Sequence, residues 1–192
     1  MRMPKKIIKK EGKVKSAEHC EKVAVYPGSF DPLTKGHINI VERGLEIFDK
    51  IVVAVANNTV KHTVFTARER VEIMKDVFKN RPNVSIDTFE GLLVDYCMRN
   101  GYTVILRGLR TVSDFEFEFQ IAHANRQMYP KVETLFMMTE SGYSHLSSTI
   151  IKEIISLGGS GKGMIPAPVE RELRKKLGTL LVRTPRRGKR RK

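Results

Sequence analysis

Short apolar runs alternate along the chain with stretches in which apolar residues recur every three or four positions. The runs are VAVY (23–26), KIVVAVA (50–56), NVSID (83–87), TVILR (103–107) and VETLFMM (132–138). Most are rich in β-branched or large apolar residues, and turn residues bound them. This pattern predicts five short strands that are buried on both faces.

Three of the intervening stretches have helical features. Apolar residues recur at three- and four-residue intervals over 36–48. The stretch 66–78 begins with Thr66, and Glu69 follows three residues later, which is the pattern of a capping box. The stretch 92–101 ends on a glycine, as helices often do. The alternation of strand and helix predicts an α/β fold, a five-stranded parallel sheet with helices on both faces.

Two further helices are predicted after the last strand. The stretch 147–159 starts with hydroxyl residues that can cap a helix, and it ends in paired glycines. The stretch 169–177 follows Pro166 and Pro168 and mixes charged with apolar residues. We expect it to form a surface helix.

The segment DFEFEFQ (114–120) admits two structures. Its alternation of acidic and aromatic residues, taken alone, indicates a strand. A strand here would leave no crossover helix between the runs 103–107 and 132–138, which parallel strands require. A helix from Val112 to Gln127 places Phe115 and Phe119 on one face, and we favour it.

The chain has 192 residues and a formal net charge of +14, enough residues for one domain. Residues 1–22 carry eight Lys or Arg and three Glu, and residues 183–192 carry seven basic residues and no acidic one. The 160 residues between them hold 20 basic and 18 acidic side chains. We therefore divide the chain into a single domain over 23–182 and two basic ends that we expect to be disordered.

The charge distribution and the hydropathy limit the classes of function. The folded body gives no electrostatic reason for binding nucleic acid, although the basic ends could make weak contacts with RNA or an anionic surface. No run reaches the roughly 18 apolar residues of a membrane span, and the opening residues lack the apolar core of a signal peptide. Cys20 and Cys97 form no metal-binding or disulfide pattern, and Cys97 lies in an apolar stretch, as a buried thiol would. We expect a cytoplasmic protein.

Candidate chemistry should lie where the strands end. In an open α/β sheet, ligands bind beyond the carboxyl ends of the strands. This rule singles out four segments, 27–37, 57–65, 107–118 and 139–149.

The first segment contains the run GSFDPLTKGHI (28–38). Gly28 permits a sharp turn, Ser29 offers a hydroxyl, and His37 falls in the first turn of a helix, where free N–H groups favour phosphate. An imidazole there can donate to a phosphate oxygen as charge develops on it. The alternative is a capping loop with an incidental histidine.

This run resembles the signature of the nucleotidyltransferase superfamily, whose members carry His or Thr, any residue, Gly and His after the first strand. Here the motif is Thr34-Lys35-Gly36-His37. The resemblance implies a Rossmann-like fold of nucleotidyltransferase type. It also implies a triphosphate bound by the motif, with transfer of a nucleotidyl group without a covalent enzyme intermediate.

The third segment continues into ILRGLRTVSDFEFEFQIAHANR (105–126), which resembles a stretch distinctive of bacterial phosphopantetheine adenylyltransferases. Arg107 and Arg110 at a strand end can clamp phosphate, because the planar guanidinium matches its geometry. Alternatively they form ion pairs with Asp114 or Glu116. The resemblance assigns Arg107 to the acceptor substrate. It assigns to the ATP site the residues Gly108, Leu109, Arg110 and Glu118.

The fourth segment leads into GYSHLSSTIIKE (142–153). Hydroxyls and free N–H groups at a helix start can bind the β- and γ-phosphates, although a plain N-cap explains the same residues. The run resembles the family signature S-S-T-x-x-K-E of the ATP site. The resemblance assigns to that site Tyr143, Ser144, His145, Leu146, Ser147, Ser148 and Thr149.

The remaining assignments also come from the resemblance. Lys61, in the segment after the second strand, matches a lysine that neutralises charge on the reacting phosphates, whereas a lysine in a polar loop is otherwise usually solvent-exposed. Ser29 and Phe30 are assigned to ATP. The expected phosphopantetheine site comprises Ser29, Lys61, Leu93 and Arg107.

The resemblance implies that AMP passes from ATP to 4′-phosphopantetheine, giving dephospho-coenzyme A and pyrophosphate in coenzyme A biosynthesis. His37, Lys61 and Arg110 are the implied catalytic residues. Mg²⁺ is expected to arrive with ATP and not through protein ligands. The family also implies a homohexamer, with coenzyme A and its dephospho form as ligands.

Three rival functions remain open at this point. A nicotinate-mononucleotide or cytidylyl transferase would share the superfamily motif but not the stretch 105–126. A nucleotide sensor without catalysis would not need Ser29, His37, Lys61 and Arg110 together. An RNA-binding protein would depend on its basic ends and would bind with a steep salt dependence.

Overall fold

A computed structural model describes residues 21–57 and 62–183 of the chain. The predicted basic ends therefore lie almost wholly outside the described residues, and Lys61 lies outside them too. The elements in chain order are β1 (Val23–Gly28), α1 (Lys35–Gly44), β2 (Lys50–Ala56), α2 (Ala67–Phe78), β3 (Val84–Phe89), α3 (Leu93–Asn100), β4 (Val104–Leu109), α4 (Val112–Met128), β5 (Glu133–Met138), α5 (Ser148–Ser156) and α6 (Ala167–Arg183).

The five predicted strands form one parallel sheet with the order β3-β2-β1-β4-β5. In the register, Val25 of β1 lies opposite Val52 of β2 on one side and Ile105 of β4 on the other. The chain builds outward from β1 to β3, then returns to the opposite side of β1 for β4. The point of return, between β1 and β4, is the switch point at which such sheets bind ligands.

Helices cover both faces of the sheet, as predicted. Because side chains alternate along a strand, Ala24 and Tyr26 pack in one core while Val25 packs in the other. The larger core contains the inner faces of α1, α2, α5 and α6. The smaller contains α3, whose Cys97 is fully buried, as the sequence indicated. Within the described residues, no helix is both long and apolar enough to span a membrane.

Local signals set most helix boundaries. The capping box of Thr66 and Glu69 begins α2, and Gly101 ends α3 in the left-handed conformation at φ 70°. The expected helix over 36–48 is too long, because α1 ends at Gly44. The N–H groups of Glu46 and Ile47 bond to carbonyls three residues back, which tightens the chain into a turn toward β2.

The segment 114–120 is helical, as we favoured. It lies within α4, whose first turn is capped by the Thr111 hydroxyl accepting from the N–H of Asp114. A helix here supplies the crossover between the parallel strands β4 and β5. Its alternating aromatic residues therefore lie on different faces, and Phe117 is 64% exposed.

The last helix is longer than the sequence indicated. α6 runs over Ala167–Arg183, and the apolar side chains of Val169, Leu173 and Leu177 are buried in the larger core. They recur every four residues and pack where α6 meets α5 and α2. α6 is a surface helix, as expected: these three side chains form one apolar stripe that faces the core, and its charged side chains lie on the outer face.

Candidate active site

A cleft of about 710 Å³ opens at the carboxyl edge of the sheet, above the switch point between β1 and β4. Each of the four predicted segments contributes to its walls. Among the predicted site residues, those that line it are Ser29, Phe30, His37, Leu93, Arg107, Gly108, Arg110, Glu118, Tyr143, Leu146, Ser147, Ser148 and Thr149.

Three described residues of the predicted site do not line the cleft. Leu109 is buried beneath it at the end of β4. Ser144 and His145 lie in the turn before α5, where the Ser144 hydroxyl donates to the carbonyl of Ser141. Their backbone leads from Tyr143 to Ser147, and both of these do face the cleft.

The absence of a side chain at Gly28 lets the ring of Phe30 approach the backbone closely. A Cβ atom at this position would lie 2.8 Å from Cζ of Phe30, closer than real contacts allow. Phe30 has a φ of 49° and is almost completely buried, and its ring meets that of His37 edge-on, with centroids 5.1 Å apart. The loop after β1 thus folds back under its own strand and supports the imidazole.

His37 is held in one orientation by the N-cap of α1. The Thr34 hydroxyl accepts from the His37 backbone N–H, and the Thr34 backbone N–H donates to Nδ1 of the imidazole over 3.0 Å. Since Nδ1 accepts, the proton of the neutral ring is on Nε2. The predicted histidine is therefore a cap residue that also lines the cleft, and its ring proton is on Nε2.

The environment also keeps this imidazole neutral. Burial lowers the pKa of His37 to about 4, and the positive charges of Arg110 and Arg107 lower it further in the same direction. A neutral ring at physiological pH can donate a hydrogen bond from Nε2 but carries no charge of its own. Of the described side chains that line the cleft, the positively charged ones are therefore the two arginines.

Arg107 at the end of β4 is held from two sides. Its Nε and Nη2 donate to the carboxylate of Glu118 on α4, with the Nε contact at 2.7 Å. Its Nη1 donates to the carbonyl of Pro27 over 2.9 Å. The ion pair that we considered as an alternative exists, but with Glu118 instead of Asp114 or Glu116. One N–H on each Nη nitrogen remains for a ligand.

Arg110 links two walls of the cleft. Its Nε and Nη2 donate to the Asp114 carboxylate at 3.1 and 3.2 Å, and its Nη1 donates to the carbonyl of Leu146 at 3.1 Å. Burial opposes ionisation of Asp114, but the hydrogen bonds from Arg110 outweigh it and leave the pKa of this carboxyl below its ordinary value. The ion pair and a cleft-facing position coexist, as the sequence allowed.

The start of α5 closes the cleft opposite the arginines. Ser147 occupies the N-cap position but makes no side-chain capping bond, so the predicted hydroxyl cap was wrong for this residue. The Ser148 hydroxyl donates to the carbonyl of Pro32 over 2.9 Å, and Thr149 is exposed. First-turn N–H groups without a side-chain cap are suited to binding anionic oxygens.

Sequence reasoning missed the buried Arg70 of α2. Its Nη1 donates to the carbonyls of Ser29 at 2.5 Å and Ala56 at 3.0 Å, which join the carboxyl ends of β1 and β2. A signal was present, since Arg70 shares the apolar stripe of α2 with Met74 and Phe78 at four-residue spacing. A positively charged side chain on such a stripe needs hydrogen-bond acceptors inside the protein.

Asp31 and Tyr26 were also missed. Asp31 is buried next to Phe30 and bonds to groups on two other segments. Tyr26 lies in β1 beneath the cleft, and burial raises the pKa of its phenol, so that it stays neutral. Nothing in the local pattern separates either residue from ordinary turn and strand residues.

Among the described residues, no group of three or more His, Cys, Asp or Glu side chains could hold a metal ion. The cleft presents guanidinium groups, hydroxyls and an imidazole as donors, and the arginines engage its two described carboxylates, those of Asp114 and Glu118. This set of donors suits a polyanionic ligand better than a bare cation.

Known proteins resemble this chain over most of its length. Residues 25–154 match the family model described as cytidylyltransferase-like. A phosphopantetheine adenylyltransferase of Geotalea daltonii is 55% identical over 152 residues, which is 79% of this chain and 94% of that protein. Proteins with the same name from Geobacter metallireducens and Carboxydothermus hydrogenoformans are 53% and 48% identical over 155 residues, covering 81% of this chain and 95% and 96% of theirs.

Proposed function

The chain belongs to the phosphopantetheine adenylyltransferases within the cytidylyltransferase-like family and has their Rossmann-like nucleotidyltransferase fold. From this premise we propose that it transfers AMP from ATP to 4′-phosphopantetheine by direct in-line attack, giving dephospho-coenzyme A and pyrophosphate. The proposed attack is by the terminal phosphate of phosphopantetheine on the α-phosphorus of ATP. The phosphate oxygen forms the new P–O bond as the bond to pyrophosphate breaks.

The observation that carries this proposal is the convergence of three groups of donors on one cleft. His37 Nε2–H, the two arginines at the end of β4 and the first turn of α5 all border the same space. The attacking phosphate is already an anion and needs no general base. The main barrier arises from bringing two polyanions together. Hydrogen-bond donors held in fixed positions lower this barrier through positioning and electrostatic stabilisation.

Each group has a distinct role in this proposal. His37 donates from Nε2 to the α-phosphate as charge builds on its oxygens. Arg110 and the residues 147–149 hold the departing pyrophosphate, while Arg107, positioned by Glu118, holds the acceptor. Ser29 orients the attacking phosphate, and Lys61 shares this role by family resemblance.

Mg²⁺ is expected to enter with ATP. Its usual protein sites supply one or two carboxylates and leave the remaining positions to water and substrate phosphates. Bound there, the ion would neutralise part of the triphosphate charge. The residues of this chain would contact the phosphates around it.

We further propose that the protein forms a homo-oligomer, a hexamer by family resemblance, in the cytoplasm. The side chains of Phe115 and Phe119 on α4 and of Leu135 and Met138 on β5 are partly exposed. β5 is also an edge strand, and natural proteins rarely leave an apolar sheet edge uncovered. Sedimentation of the purified protein measures the oligomer, and a monomer at micromolar concentration would contradict the proposal.

The decisive experiment measures pyrophosphate release from Mg-ATP with 4′-phosphopantetheine, nicotinate mononucleotide or no acceptor. Rapid release is expected only with phosphopantetheine. His37→Ala should reduce kcat by about 10²–10³-fold, the typical cost of one transition-state donor, and leave ATP affinity nearly unchanged. Pyrophosphate release with another acceptor would show that the proposed acceptor substrate is wrong. Equal losses of ATP affinity and kcat in His37→Ala would contradict the proposed role of His37 at the transition state.

A further inference from the structure

Asp31 is a buried carboxylate that the reaction scheme does not use. It is 4% exposed and lies in the loop between β1 and α1, two residues after Ser29. Acidic side chains are rarely so buried unless they are paired. Neither Asp31 nor its partner Lys152 lines the cleft. The role of Asp31 must therefore follow from the protein groups that it contacts.

One pair of contacts reaches the segment that leads into α2. The backbone N–H of Phe65 donates to Oδ1 of Asp31 and that of Val64 donates to Oδ2, both over 3.0 Å. These two bonds hold the end of the β2–α2 connection against the loop after β1. Lys61, to which the proposed function gives a role, belongs to the same connection.

The other contacts reach α5. Nζ of Lys152 donates to Oδ2 of Asp31 over 3.0 Å, and its side chain is 26% exposed. One helical turn earlier, the Ser148 hydroxyl donates to the carbonyl of Pro32. Because the two contacts lie four residues apart on α5, they fix both the rotation and the height of its first turn.

The chemistry of these partners requires a carboxylate. Two backbone N–H groups and an ammonium all donate to Asp31, and an ionised carboxylate accepts only. An amide of the same shape would turn its NH₂ group toward one of the donors. The ammonium of Lys152 also balances the negative charge within a nearly buried site.

We propose that Asp31 is a positioning residue that sets the backbone of Val64 and Phe65, just before α2, and the first turn of α5 at fixed places relative to the reacting phosphates. The inference rests on the proposed function, which gives roles at the phosphates to residues 147–149 and, by family resemblance, to Lys61. Asp31 acts through the backbone of Val64 and Phe65 and through Lys152. A displacement of about 1 Å at a reacting centre can cost on the order of 10²-fold in rate.

The first test is Asp31→Asn in the full chain, assayed with Mg-ATP and 4′-phosphopantetheine. We expect kcat to fall about 10²-fold while the KM of each substrate changes less than about threefold, because a positioning change acts mainly on the transition state. Asp87→Asn is the matched control. Its carboxylate also accepts a hydrogen bond, from the Tyr96 hydroxyl at 2.7 Å, but outside the cleft, and it should keep the wild-type kcat.

A second measurement separates positioning from general loss of structure. Asp31→Asn is combined with Lys61→Ala, and the two changes should be strongly non-additive in kcat if Asp31 acts through the part of the chain that joins Lys61 to Val64. Fully additive losses, or a folded Asp31→Asn protein with wild-type kcat, overturn the inference. A wild-type protein that is inactive with phosphopantetheine overturns the proposed function instead.

If Asp31→Asn does not fold, variants of its ion-pair partner Lys152 test whether this contact positions the site. Lys152→Met should lower kcat about tenfold, and Lys152→Arg, which keeps the charge, should restore most of it. Equal rates for Lys152→Met and the wild type would show that the contact with Asp31 does not position the site.

Discussion

The backbone N–H of Thr34 donates to Nδ1 of His37 over 3.0 Å. This bond completes the N-terminal cap of α1 and sets the tautomer of the imidazole at the same time. A helix-cap residue and an imidazole that lines the cleft are therefore the same residue. The capping role considered for His37 is confirmed, and its role as a donor to phosphate stays a prediction.

His37 should make the folded protein less stable as the pH falls. Its pKa is lowered from 6.5 to about 4 by burial, so in that range the unfolded chain binds a proton that the folded one does not. The stabilising effect of the neutral ring is complete above pH 6.5 and is lost as the pH falls toward 4. Urea unfolding of the wild type and of His37→Asn from pH 7.5 to 4.5 measures how the free energy of unfolding of each protein depends on pH.

In that experiment the variant should lose less stability on acidification than the wild type. His145→Asn removes an exposed histidine and serves as the control. Identical pH dependence in the wild type and His37→Asn would show that the imidazole is not kept neutral by the fold.

Glu118 should control binding of the acceptor more than binding of ATP. It holds two donors of Arg107, although family resemblance assigns it to the ATP site. Glu118→Gln weakens a charge-assisted pair and should raise the KM of phosphopantetheine about tenfold, with a smaller change for ATP. Steady-state kinetics with each substrate varied in turn would show this. A rise confined to the KM of ATP would support the family assignment.

Gly108 should not tolerate a side chain. A Cβ atom there would lie 2.9 Å from Cγ1 of Ile40, which is buried in α1 and cannot easily move. Gly108→Ala should reduce the free energy of unfolding by about 1–3 kcal/mol through overpacking. Gly142→Ala is the matched control, since no atom beyond its own residue and its two chain neighbours lies within 4 Å of the added Cβ. Equal stability of the two variants in urea unfolding would contradict this packing.

Leu173 should contribute strongly to stability. It lies fully buried in the stripe of α6 that packs on the larger core. Leu173→Ala should cost about 2–5 kcal/mol of unfolding free energy, as large-to-small changes in a core do. Leu157→Ala, at a position that is 80% exposed, should change it by less than about 0.5 kcal/mol. A small effect at Leu173 would contradict the packing of this stripe against the core.

Cys97 should resist thiol reagents in the folded protein. It is fully buried, and burial raises the pKa of its thiol to about 11, so little thiolate forms at pH 8. In a Cys20→Ser variant, which leaves Cys97 as the only thiol, Ellman's reagent should react at an appreciable rate only after denaturant is added. Rapid reaction with the folded variant would show that α3 opens readily.

The sequence by itself determined the strands, most helices and the segments that form the cleft. The periodicity of apolar residues indicates which faces are buried. Because ligands of an open α/β sheet bind beyond the carboxyl ends of its strands, the order of strands and helices also predicts where the site lies. Local motifs such as the capping box of Thr66 and Glu69 also need no tertiary information, because all of their atoms lie within one turn of chain.

Only the tertiary structure decided which polar groups meet. Arg107 pairs with Glu118 eleven residues away, and Asp31 bonds to Val64 and Lys152, 33 and 121 residues away. The apolar stripe of α6 could be identified from the sequence, but the surface on which it packs could not. The physical reason is that a local pattern specifies the environment a side chain needs, whereas its partner is chosen by how distant segments pack.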